Sequence, residues 1–234
     1  MSNFVAELNG VTKSYKFWNK AIEDQSFQIP YSGMVGLIGS NASGKTTLLH
    51  LLAGLTKPSK GEVYVAGQKM DYKNLHQVAF FAAEYPFYPF MTIEETLRYA
   101  NGIYPDFSYE KAEQMRKDLG WNPSFRVKDL SRGNKELLKV LIGLCRRVPL
   151  LLFDEPLSGL DPIARKHIMK LFAKYAEVEE QTIILSYHEL YEIDSYLDYV
   201  IVLKNGRVEK TGWVEDIREE EGKGLMDILM EVAQ

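Results

Sequence analysis

The stretch Gly39-Ser40-Asn41-Ala42-Ser43-Gly44-Lys45-Thr46-Thr47 leaves few folds open to this chain. It fits G-x-x-x-x-G-K-[ST], the Walker A loop, whose backbone N–H groups cradle phosphates. Met34 to Ile38 before it read as a buried strand, and residues 47–53 after it read as a helix. Strand, loop and helix are the context the motif needs. A helix N-terminus puts unpaired N–H groups and a positive dipole end at an anion. Lys45 would then reach the β- and γ-phosphates, and the Thr46 hydroxyl would hold Mg²⁺.

At 234 residues the chain makes one large α/β domain or one domain with a modest subdomain, and 46% apolar content suffices for a full core. No run of about eighteen apolar residues occurs, so no spanning helix is expected. The first seven residues lack a basic segment and an apolar core, so no signal peptide is expected. A single cysteine, Cys145, precludes an internal disulfide and suits a reducing cytoplasm. A net charge of −4 and a pI near 5.7 make nucleic acid a poor partner, because its phosphates call for a basic face.

No Gly-, Ser- or Pro-rich linker divides the chain, and no internal repeat is visible. Short apolar runs alternate with helical patterns, as in a parallel sheet with crossover helices. Beyond the loop, strands are expected at 62–65, 78–82, 150–154, 182–185 and 199–203. Lys204-Asn205-Gly206-Arg207 reads as a hairpin turn into a further strand at 208–210. Residues 5–9 and 26–29 read as antiparallel strands. From about Glu84 to Arg147 the pattern turns helical, which suggests a helical subdomain at 85–147 inserted between core strands.

Leu150-Leu151-Leu152-Phe153-Asp154-Glu155-Pro156 is an apolar run ending in two acids. Buried parallel strands read as such runs, and sites in open α/β sheets lie beyond their carboxyl ends. Asp154 is therefore placed where Mg²⁺ would sit, and Glu155 could accept a proton from attacking water. Taken alone, the run could equally be a strand ending in a solvated acidic turn. His188 follows the strand at 182–185 and could touch a γ-phosphate or orient water, or simply cap a helix. Ser131 and Gly133 open a helical run and make a second anion-binding end. That end lies outside the loop-and-strand core.

The order of 39–47, 130–134, 152–156, 158–161 and His188 resembles the nucleotide-binding domain of ATP-binding cassette (ABC) proteins, over nearly the whole chain from Tyr15 to about Gly212. The resemblance implies an α/β fold with a P-loop NTPase (RecA-like) core, a mainly parallel sheet, an N-terminal antiparallel β-subdomain and the inserted helical subdomain. It implies a head-to-tail dimer, homodimer or heterodimer, with two ATP molecules at the interface. Each ATP would lie between one chain's Walker loop and the other's signature helix at 130–134. The resemblance also assigns 158–161, with Asp161, as the D-loop, His188 as the switch histidine and Tyr15 as the ring stacking on adenine. Phe17 and Trp18 are close enough to substitute for Tyr15.

The chain departs from the family pattern twice. Its signature is LSRGN rather than LSGGQ, with Arg132 for a glycine and Asn134 for a glutamine, while Ser131 and Gly133 remain. Glu84 stands where a glutamine normally opens the Q-loop, and its carboxylate can still ligate Mg²⁺ through oxygen. Both departures, together with Ile103-Tyr104-Pro105-Asp106-Phe107, are similar to bacterial ABC-2-type exporter ATPases. Tyr85-Pro86-Phe87-Tyr88-Pro89-Phe90-Met91 packs four aromatics and two prolines into seven residues. Those rings either line a groove for a membrane subunit's coupling helix or form the helical subdomain's own core. Residues 225–232 have helical spacing and should pack back on the domain, and Glu219-Glu220-Glu221 reads as a solvated acidic turn.

The resemblance implies an ATP-hydrolysing subunit, cytoplasmic and peripheral on the inner face of the membrane through a separate transmembrane permease subunit. ATP and Mg²⁺ are its expected cofactors, and export its expected direction. The alternatives are a soluble ABC ATPase outside transport and a weakly hydrolysing ATP-binding regulator. The transported substrate is not legible in these residues.

Overall fold

The structure, a computed structural model, describes residues 4–16, 19–84, 86–187 and 194–221. Phe17, Trp18, Tyr85, His188 and the 225–232 stretch lie outside the described residues. Two sheets form the frame. The first is antiparallel, in the order β2 (Asn19–Pro30), β1 (Phe4–Lys16), β4 (Lys60–Val65) and β5 (Gln68–Lys69). The second has the order β10 (Arg207–Trp213), β9 (Tyr199–Lys204), β3 (Met34–Ile38), β8 (Thr182–Tyr187), β7 (Leu150–Phe153) and β6 (Val78–Phe81). All its neighbours run parallel except β10, which returns antiparallel from β9 through Asn205 and Gly206 at positive φ.

The second sheet is covered on both faces, which is why its strands read as unbroken apolar runs. Successive side chains alternate between two cores. On one face Met34, Ile38, Leu151, Phe153, Ile183, Leu185, Val200 and Val202 meet α2 (Ile93–Ile103), α3 (Tyr109–Asp118), α4 (Arg132–Leu144) and α5 (Pro162–Tyr175). On the other, Val35, Leu37, Leu150, Leu152, Ile184 and Ile201 meet α1 (Lys45–Leu52) and the antiparallel sheet. Each fully buried Leu, Ile or Phe contributes about 1.5–3 kcal/mol.

Helices α2, α3 and α4 occupy the chain between β6 and β7. They share one continuous core with the sheet. Their starts carry the expected side-chain caps. Thr92 and Glu95 form a reciprocal capping box at α2, and Ser108 caps α3. Strand β5 and the full lengths of β1 and β2 had no signal in the sequence reading, because edge and antiparallel strands carry only interrupted apolar alternation. Glu219 lies in helix α6 (Val214–Glu221), not in the acidic turn expected there. Val214 and Ile217 anchor that helix in the core, so its apolar side outweighs the acidic run.

Helix α4 approaches the sheet closely at Gly143. A Cβ there would meet Phe153 Cζ at 2.4 Å and Phe81 Cε2 at 3.1 Å. Those two rings stack with centroids 5.0 Å apart, and Phe172 meets Phe153 edge-on at 5.2 Å. Replacing Gly143 by valine should therefore lower unfolding stability by about 1–3 kcal/mol, the cost of overpacking. Urea denaturation of the full chain measures this, and an unchanged midpoint would contradict the packing described.

Candidate functional site

The site is built at the carboxyl end of β3. The chain leaves Ile38, turns through the glycine-bounded loop and enters α1 at Lys45, two residues earlier than the expected start at 47. Gly44 sits at φ 111°, and no side chain caps the helix. The first four N–H groups of a helix lack intrahelical partners. Here they open with a positive dipole end onto a cleft of about 530 Å³. Asn41, Ala42, Gly44, Lys45, Thr46 and Thr47 line it from the loop.

Gly39, Ser40 and Ser43 hold the loop from behind. Lys45 Nζ donates to the carbonyls of Gly39 at 2.8 Å and Ser40 at 3.0 Å. The Ser43 N–H donates to the Ser40 carbonyl at 3.2 Å, while its buried hydroxyl turns inward toward Gly39. Glycine is required at both ends of the loop. A Cβ on Gly39 would lie 2.3 Å from the Leu203 carbonyl, and one on Gly44 would lie 2.4 Å from the Ala21 carbonyl. The β9–β10 turn clamps the loop from the side, through Gly206 N–H to Ser43 O at 2.8 Å and Glu23 N–H to Gly206 O at 2.9 Å. Lys20, Ala21, Asn205 and Gly206 thereby enter the cleft wall, although the sequence reading did not place them there.

The ammonium of Lys45 is only 5% exposed and stands 3.9 Å from Glu155 Oε1. Burial pushes its pKa below the usual lysine value, against the pull of the Glu155 and Asp154 carboxylates. Asp154, buried at the end of β7, accepts from Thr46 Oγ1 at 2.8 Å and from Ser186 Oγ at 2.6 Å. The Ser186 hydroxyl also receives the Glu155 N–H at 2.9 Å and so fixes the left-handed turn at Glu155, φ 48°. Ser186 was missed in the sequence because the strand was ended at Leu185. A hydroxyl in an apolar strand beside the paired acids is the signal that could have found it.

The Thr46 hydroxyl and the Asp154 carboxylate put hard oxygen donors side by side, the chemistry a magnesium ion prefers. Among the described residues no cluster of three or more His, Cys, Asp or Glu stands ready for a metal. That fits an ion held mainly by phosphate oxygens with a few protein ligands. Tyr15, 56% exposed, lines the cleft mouth, with its hydroxyl 3.5 Å from Thr47 Oγ1.

Other expected residues lie elsewhere. Ser131 caps α4, its Oγ accepting from Asn134 N–H at 3.2 Å. Gly133 packs against Ala164 at the start of α5. Asp161 caps α5, accepting from the N–H groups of Ile163 and Ala164 at 3.0 Å each. The Arg132 guanidinium donates to Ser158 O at 2.9 Å and lies over Gly159, where a Cβ would meet it at 2.6 Å. Glu84 is exposed and opens onto a second cleft of about 550 Å³, which also takes in Arg132. Ser131, Gly133, Glu84 and Asp161 do not line the phosphate-loop cleft.

Removing the Ser186 hydroxyl tests the strand-end network. Ser186→Ala leaves a buried carboxylate short of a donor and should cost about 1–3 kcal/mol of stability. Thermal unfolding reads this, and an unchanged Tm would show that Asp154 does not depend on Ser186.

Comparison with known proteins agrees with this geometry. Residues 22–158 match the family described as "ABC transporter". The chain is 31% identical to the uncharacterized ABC transporter ATP-binding protein YcbN of Bacillus subtilis, covering 92% of this chain and 71% of that protein. It is 32% identical to the ABC transporter ATP-binding protein NatA of the same organism, covering 86% and 85%. A solved ATP-binding subunit of an ABC transporter, 27% identical, superposes with a TM-score of 0.82 over 98% of this chain and 100% of its own. The fold and these matches agree on an ATPase, and this chain belongs to the ABC transporter family.

Proposed function

We propose that this chain is the ATP-hydrolysing subunit of a membrane exporter, working as a dimer on a separate permease subunit. One observation carries the reading. The chain has two candidate anion-binding helix starts, uncapped α1 with Lys45 and α4 capped by exposed Ser131, and Ser131 does not line the cleft at Lys45. A nucleotide touching both must lie between two chains. A dimeric cassette bound to ADP and Pi, 24% identical with a TM-score of 0.75, supports the fold of such a pair. Either two copies of this chain or one copy with a related chain would satisfy the geometry.

In the closed pair, the α1 amides and Lys45 hold the phosphate tail, and Tyr15 stacks on the base. Thr46 and Asp154, with Glu84 from its separate cleft, would hold Mg²⁺, which would balance phosphate charge. Glu155 takes a proton from the attacking water, aided by His188. The bond from the γ-phosphorus to the bridging oxygen breaks, and the Lys45 ammonium offsets the charge left on the nucleoside diphosphate. Ser131 and Gly133 of the facing chain close on the terminal phosphate, and its release lets the pair reopen.

Among the described residues no helix is long and apolar enough to cross a membrane, and in this reading movement is passed to a separate permease chain. The aromatic segment supplies a surface for that. Phe87 packs on the core, whereas Tyr88 and the 66% exposed Phe90 face outward beside Tyr99. Phe87 thus belongs to the core, and in this reading the outward rings of Tyr88 and Phe90 receive the permease's coupling helix. The energy-coupling factor transporter ATP-binding protein EcfA3 of Oenococcus oeni, 32% identical over 88% of this chain and 76% of its own, supports a role inside a transporter. Export as the direction rests on Arg132, Asn134 and Glu84, the positions that resemble exporter ATPases.

Two variants test the reading. Glu155→Gln should cut turnover by about 10²- to 10⁴-fold, the range for a general base, while nucleotide still binds. Phosphate release paired with fluorescent-nucleotide titration checks it, and near-normal turnover removes Glu155 from the mechanism. Ser131→Arg should abolish ATP-dependent dimerisation, followed by light scattering, without weakening nucleotide binding to the single chain. A monomer that still hydrolyses normally would sink the two-chain site.

A further inference from the structure

Lys139 is among the most deeply buried charged side chains described, only 1% exposed in the middle of α4. Burying an ammonium is costly unless it is paired and hydrogen-bonded. Lysine has three donors; here two backbone carbonyls accept from it and one carboxylate pairs with its charge. Nζ stands 2.6 Å from Glu136 Oε2, one turn earlier on α4. It also donates to the carbonyl oxygens of Ala82 at 3.1 Å and Ala83 at 3.3 Å. Those two residues are all that separates the end of β6 at Phe81 from Glu84. Burial pushes the Glu136 carboxyl up, with the Lys139 ammonium opposing it, so the pair stands largely out of water.

The arrangement joins two parts of the chain with separate tasks. The carbonyls belong to the segment that presents Glu84, and Glu136 and Lys139 belong to the helix whose first turn carries Ser131 and Gly133. Glu84, Arg132, Glu136 and Lys139 all line the 550 Å³ cleft between these parts. An apolar side chain at 139 would fill the same space but could not hold a carbonyl. Core packing alone therefore does not account for a lysine there.

We propose that Lys139, paired with Glu136, is a positioning residue that pins residues 82–83 to α4 and so sets Glu84 relative to Ser131 and Gly133 of the same chain. This rests on the reading of Glu84 and the α4 start as nucleotide-site elements. The two backbone carbonyls thereby tie the segment that presents Glu84 to the helix that carries Ser131 and Gly133.

The test uses the full chain with Lys139→Met combined with Glu136→Gln, which removes both charges and leaves no buried ion unpaired. Loss of the hydrogen bonds accepted by Ala82 and Ala83 should move their backbone carbonyl carbon resonances upfield, while those of Leu151 and Leu152 in β7 stay in place. Unmoved carbonyl resonances at Ala82 and Ala83 overturn the proposal. Equal movement in β7 also overturns it, since that marks a merely structural pair. Separately, the Mg²⁺ concentration giving half-maximal turnover should rise about tenfold in the natural background and stay level in a Glu84→Ala background. An equal rise in both backgrounds shows that the pair does not act through Glu84. If Glu84→Ala alone leaves the Mg²⁺ dependence untouched, the metal-ligand reading of Glu84 fails, and the carbonyl resonances still decide whether Lys139 holds the segment.

Discussion

Three elements that are far apart in the chain meet at the Asp154 carboxylate. It closes β7, accepts from Thr46 at the first turn of α1, and accepts from Ser186 in β8. Hydrogen bonds to a buried charge are worth about 1.5–3 kcal/mol each, so this junction resists any shear between the strands and the phosphate loop. Ser186 extends it to the backbone of Glu155. The main chain of the acid expected to move a proton is thus held by Ser186. The parallel sheet makes the junction possible, because only strands running the same way bring their carboxyl ends to one edge.

That edge is crowded, and the crowding accounts for the glycines and the buried lysine around it. The loop fits between the Ala21 and Leu203 carbonyls only without a Cβ at Gly39 and Gly44. Lys45 is folded back on the carbonyls of Gly39 and Ser40, so its charge is oriented before any phosphate arrives. Such preorganisation lets a charged group act without reorganising when charge develops beside it.

The α4 start is organised by different means. Ser131 caps it, Gly133 admits the start of α5, and Arg132 reaches across to Ser158 and Gly159. Arg132 therefore acts within the chain, binding the α4 start to Ser158 and Gly159. Lys139 performs a similar service toward Ala82 and Ala83 on another side of the same helix. Helix α4 is consequently tied to both acidic segments of its own chain while its first turn stays exposed.

Much of this was legible in the residues, because it rests on local chemistry. A loop that must approach phosphate needs glycines and a lysine at fixed spacing, and strands buried on both faces must be apolar throughout. These constraints are written within a few positions of each other, so the core strands, the loop and the paired acids could be read directly. Ser186, Lys139, and the Asn205 and Lys20 walls of the cleft could not. Ser186 meets Asp154, and Lys139 meets Ala82 and Ala83, from more than thirty residues away in the chain, and a lone serine or lysine in an apolar run carries no mark of the carbonyl or carboxylate it will meet. The sequence by itself determined which chemistry the chain can perform. Only the folded arrangement decided that Ser131 and Gly133 at the α4 start stay out of the phosphate-loop cleft, because the distance between the α1 and α4 starts depends on how α4 packs across the sheet rather than on any local pattern.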